Sequence, residues 1–65
     1  MINVNVKGMK CRAVRSIRYY QGTINAATEG TIQYECDNLG RKLIHVRWSN
    51  GITLNVFPNE IEIIG

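Results

Sequence analysis

Hydrophobic and polar residues alternate along most of the chain, the period-two signature of strands with one buried face. Ile2, Val4 and Val6 alternate with Asn3 and Asn5 until Lys7-Gly8 ends the run. Met9, Cys11 and Ala13 alternate with Lys10 and Arg12, after which the apolar phase slips to Val14 and Ile17. That slip predicts a β-bulge that bends the strand. A short helix over Cys11 to Tyr20 is the rival, because Cys11, Val14 and Ile17 stand three apart, but its stripe is narrow and uncapped. From Arg18 to Glu29 the period is lost, and Gly22, Asn25, Ala26, Ala27 and Thr28 read as a long loop holding at most a short strand. After Gly30 the alternation returns. Ile32, Tyr34 and Cys36 face one way with Thr31, Gln33 and Glu35 opposite, Asp37-Asn38-Leu39-Gly40 is a turn, and Ile44, Val46 and Trp48 then alternate with Leu43, His45 and Arg47.

The following turn is fixed by parity. Directly opposed residues of an antiparallel pair share a face, so Trp48 faces Ile52 and Val46 faces Leu54. Ser49-Asn50-Gly51 is then a three-residue loop with Gly51 in the left-handed position of a bulge. His45 falls opposite Asn55, and Arg47 opposite Thr53, on the outer face. Pro58 ends the run, Asn59-Glu60 turn tightly, and Ile61 and Ile63 form a closing strand. The expected core is Val4, Val14, Ile32, Tyr34, Ile44, Val46, Trp48, Ile52, Leu54, Val56, Ile61 and Ile63. One small sheet cannot bury its apolar face unaided, so the expected fold is all-β, an SH3-like barrel of five to six short antiparallel strands filling 1–65 as a single domain.

The 65-residue length allows one domain and little room for a deep catalytic pocket. No apolar run reaches membrane-spanning length and the N-terminus shows no leader pattern, so a cytoplasmic location without membrane contact is expected. The net charge is +3, but its distribution is uneven: Lys7, Lys10, Arg12, Arg15 and Arg18 precede residue 29 with no acid, and all five acids follow. A basic front of this kind suits an acidic partner. Cys11 and Cys36 read as buried, reduced and unreactive small apolar side chains, and with the single His45 they lack the spacing of a metal site.

The segments Gly8-Met9-Lys10-Cys11-Arg12-Ala13-Val14, Thr28-Glu29-Gly30-Thr31-Ile32, Ile44-His45-Val46-Arg47-Trp48 and Phe57-Pro58-Asn59-Glu60-Ile61 resemble the SH3-like barrels of the ferredoxin–thioredoxin reductase variable chain and photosystem I subunit IV. The similarity runs from Gly8 to Ile64 and implies a non-catalytic subunit that packs on a partner or helps an electron carrier dock. The Glu29-Gly30-Thr31-Ile32 corner also resembles the centre of a KOW motif, which implies binding to RNA or to transcription and ribosomal proteins.

No Ser/His/Asp, Cys/His or paired-carboxylate arrangement is legible, and there is no Gly-rich phosphate loop. Trp48 has inward parity, which leaves a polyproline groove without its tryptophan. The outer face, read as Gln33, Glu35, His45, Arg47, Thr53 and Asn55, has no aromatic residue and carries an acid. The expected function is therefore a non-enzymatic interaction module, without cofactor, metal or small-molecule substrate. It docks an acidic protein through Lys10, Arg12, Arg15, Arg18, Tyr19 and Tyr20, with one tyrosine anchoring the loop and the other exposed. The alternative is a KOW-like barrel that binds RNA or DNA by phosphate contacts from the same cations.

Overall fold

The computed structural model describes the backbone at residues 2, 3 and 6–64 and the side chains of 6–64. Its elements are β1 (Ile2–Asn3), β2 (Lys10–Ala13), β3 (Ile17–Tyr19), β4 (Gly22–Ile24), β5 (Glu29–Asn38), β6 (Arg41–Trp48), β7 (Thr53–Val56), a 3-10 turn over Pro58–Glu60, and β8 (Ile61–Ile64). All pairings are antiparallel. The main sheet runs β7-β6-β5-β2-β8, with β1 also on β5, while β3 and β4 form a separate hairpin. No ladder joins the outer strands β7 and β8 among the described residues.

The turns follow from their residues. Trp48 N–H donates to Ile52 O at 2.8 Å and Gly51 N–H to Trp48 O at 2.9 Å, with Gly51 at φ +88°, so the three-residue loop and the register beyond it are as the parity rule requires. The β5–β6 hairpin closes through Leu39 (φ +52°) and Gly40 (φ +78°), a two-residue turn with both central residues left-handed. After Phe57, Glu60 Oε1 accepts the Phe57 N–H at 2.9 Å, fixing the proline turn that leads into β8.

The core consists of Cys11, Ala13, Ile17, Ile24, Ile32, Ile44, Val46, Trp48, Val56 and Ile61, with Val6, Tyr19 and Leu54 packed against it. Ile52 is half-buried. Val4 lies outside the described residues. Val14, expected inside, is 47% exposed, because β2 ends at Ala13 and the apolar slip marks the end of the strand rather than a bulge within it. Ile63 shares the face of its partner Cys11 yet is 51% exposed, since among the described residues β8 is the last strand of the sheet and pairs with β2 alone. The expected long loop is largely the β3–β4 hairpin, whose Ile17 and Ile24 pair and both enter the core. Isolated among Gly22, Thr23 and Asn25, Ile24 gives no periodic signal.

Gly30 of β5 faces Trp48 of β6, and the backbone there has no room for a side chain: a Cβ on Gly30 would sit 2.6 Å from Val46 Cγ1 and 3.0 Å from both Arg47 O and Trp48 Cε3. Gly30→Ala should therefore cost about 1–3 kcal/mol in urea unfolding; an unchanged midpoint would contradict this packing. Leu39, 97% exposed, makes no core contact to offset its left-handed backbone. Leu39→Asn should stabilise the protein by about 1 kcal/mol in the same assay, because asparagine tolerates that conformation.

Candidate binding face

In the β5–β6 ladder Ile32 faces Val46, but the next pair is Tyr34 with His45, leaving Gln33 unpaired in a bulge. On the other side of β5 the chain turns at the same level: Gly8 N–H donates to Ile32 O at 2.8 Å and Ile32 N–H to Met9 O at 2.8 Å. β5 thus pairs with β1 beyond the bulge and with β2 before it. The bulge reverses the parity of everything that follows. Tyr34, expected in the core, and Cys36, expected to be buried and unreactive, come to the outer face opposite His45 and Leu43, and Glu35 moves to the inner parity opposite Ile44, 3.8 Å from Lys42 Nζ.

The bulge was legible in principle. With a two-residue turn at Leu39-Gly40, unbroken pairing would set Ile44 against Glu35, Val46 against Gln33 and Trp48 against Thr31. Three polar residues would then share the core face, so one extra residue must be inserted before Ile32 can meet Val46.

The consequence is a different outer face from the one expected. The Tyr34 and His45 rings are stacked, with centroids 4.7 Å apart and planes 11° from parallel. His45 Nδ1–H donates to Asn55 Oδ1 at 2.7 Å, across the register pair that β6 and β7 form, which leaves Nε2 as the other ring nitrogen. Lys7, Gln33, Arg47 and Thr53 join the two rings around a cavity of about 550 Å³ with no carboxylate in its lining. Arg47 also lines a second, smaller cavity of about 260 Å³ with Lys10, where Glu29 adds one acid.

The six residues expected to form a single site are divided among β2, the bend after it and the β3–β4 hairpin. Lys10 stands beside the face just described. Arg12 is in an ion pair with Glu62, its register partner on β8, and Arg15 Nη2 is 3.8 Å from Glu60 Oε2. Arg12 and Glu62 are half-exposed and Arg15 is exposed against a mostly buried Glu60, so each pair contributes about 1 kcal/mol or less, but they set an acid beside two of the cations. The acids of the C-terminal segment therefore lie against the basic strand, and the front-to-back separation of charge seen along the sequence is partly cancelled. Arg18, Tyr19 and Tyr20 belong to the β3–β4 hairpin. Tyr19 packs against the core and meets Tyr20 edge-on at 6.2 Å, leaving Tyr20 90% exposed at the tip.

Other reactive groups are few. Cys11 is fully buried, and burial raises its thiol above the ordinary value although a backbone hydrogen bond from Gly30 acts in the opposite direction. Trp48 Nε1, also buried, has no hydrogen-bond partner among the described residues. Among these residues no three His, Cys, Asp or Glu converge on a metal position, and no helix is long and apolar enough to cross a membrane. Both cysteines are free, and Cys36, brought out by the bulge, is partly exposed. A disulfide reagent should label Cys36 in the native protein and reach Cys11 only on unfolding. Cys36→Ser should abolish the native phase; rapid labelling of that variant would place Cys11 within reach of solvent.

Comparison with protein families, with curated proteins and with solved structures gives no match, so a functional reading rests on this chain's own residues.

Proposed function

We propose that the chain is a non-enzymatic nucleic-acid-binding module of SH3-like barrel type, working in a reducing cytoplasm, where two free thiols persist. The barrel reading draws on the long, bulged β5 shared by both halves of the sheet and on a single core enclosed by sheet and hairpin. One observation carries the function: Lys7 and Arg47 line a carboxylate-free cavity that continues, through Arg47, towards Lys10. Cations spaced along the outer sheet face suit a chain of phosphates, and each phosphate neutralised releases counterions, which gives affinity at low salt with little sequence preference. Arg12 and Arg15 are assigned no role in it, because Glu62 and Glu60 hold them.

A second reading keeps an acidic protein as partner and places it on the β3–β4 hairpin. The observation in its favour is Tyr20, an exposed aromatic braced by Tyr19 on a strand that also carries Arg18. Tyrosine with arginine is a pairing enriched in interface hot spots.

Titration of fluorescent oligonucleotides over a range of salt tests the first reading. The logarithm of affinity should fall linearly with the logarithm of salt concentration, and Lys7→Glu, Lys10→Glu and Arg47→Glu should each lower the slope by about one. Arg18→Glu and Tyr20→Ala should leave the titration unchanged. Absence of binding at low salt would overturn the proposal. Nuclease-resistant recovery of a protein partner, lost with Tyr20→Ala, would transfer the function to the hairpin.

A further inference from the structure

Resting on that reading, we infer that Tyr34 and His45 form a base-stacking platform and that the ligand is consequently a single strand rather than a duplex. Phosphate contacts alone do not distinguish the two, since both present the same anionic backbone. An aromatic surface does. The faces of bases in a duplex are covered by their neighbours, whereas an unpaired base can lay its face on a protein ring.

The geometry is arranged for such a contact before any ligand arrives. The two rings are nearly parallel at 4.7 Å and 11°, so they form a short stack that a third ring can extend. His45 is held by Asn55 at 2.7 Å, which restrains the rotation that would otherwise break the stack. The bulge at Gln33 fixes Tyr34 from the opposite strand, so each ring is positioned by backbone pairing as well as by its neighbour. The cavity, about 550 Å³, lies within the roughly 300–1,000 Å³ of small-ligand sites and accepts one nucleotide. Lys7 and Arg47 line that same cavity, which lets a base on the rings keep its phosphates near cations. Because any base offers a π-face, this platform favours single strands without selecting a sequence.

The test measures anisotropy at low salt with four probes of equal length: single-stranded DNA, single-stranded RNA, duplex DNA and an abasic DNA strand. Single strands should bind more tightly than the duplex, and the DNA and RNA arms report whether the 2′-hydroxyl contributes. Tyr34→Ala should weaken binding to the single strands by about 5- to 150-fold and leave the abasic strand unaffected, while Tyr34→Phe should bind like the parent. Because Tyr34 is part-buried, a second measurement uses the unaltered protein: a 5-iodouracil strand irradiated in the complex should cross-link to Tyr34 or His45. Duplex and abasic probes binding as tightly as the single strands, or cross-links confined to other residues, would overturn the platform. In that case the phosphate reading would stand if the Lys7 and Arg47 variants still lowered the salt slope. No binding to any probe would overturn both.

Discussion

Gln33 is the residue on which the arrangement of this small sheet turns. β5 must present Ile32 to Val46 in the core and must also close a two-residue hairpin through Leu39 and Gly40. Those two demands differ by one residue, and the bulge at Gln33 absorbs the difference. The same level of β5 is where its neighbour changes from β1 to β2, with Gly8 and Met9 bonded to Ile32. A bulge adds local twist and bend, so both sides of β5 change direction together and the apolar face can curl over one core. The face bearing Tyr34 and His45 is a by-product of that constraint, and stability and candidate function are coupled through it.

The core itself is small, and its margin depends on close approach rather than on area. Ten buried residues among those described, from Cys11 to Ile61, are gathered from both sheets. Gly30 lets β5 and β6 come together over Trp48 and Val46, and Ile17 with Ile24 closes one side from the hairpin. A domain of this size exposes a large share of its surface, and folded proteins keep only about 5–15 kcal/mol in hand. Small changes in packing are therefore felt throughout, whereas the ion pairs made by Glu60 of the 3-10 turn and Glu62 of β8 act mainly on charge. Arg12 with Glu62, and Arg15 with Glu60, reduce the positive potential of β2 and of the bend after it, and leave Lys7 and Arg47 beside the stacked rings with Lys10 in the adjoining cavity. The separation of aromatic groups is equally clear. Tyr34 is set flat against His45 on the main sheet, while Tyr20 projects from a hairpin tip.

Alternation by itself determined the all-β class, the strands from Gly30 onwards, the Ser49-Asn50-Gly51 loop and the inward parity of Ile44, Val46 and Trp48, because each depends only on neighbouring residues and on the two-fold period of a strand. The loop was readable to the residue, since Trp48 and Ile52 had to share a face. Tertiary structure decided what depends on distant partners. Whether Tyr34 lies inside or outside depends on how β5 reconciles a turn at Leu39 with a pairing at Ile32, and local alternation of Ile32, Tyr34 and Cys36 points the wrong way. Whether Arg12 is available depends on Glu62, fifty residues away in the chain and adjacent in the sheet. Whether Ile24 is buried depends on a hairpin with no periodic pattern. A strand's period is a local property, but the register between strands is set only when the chain folds back, and a single residue of register exchanges an aromatic side chain for an acid on the exposed face.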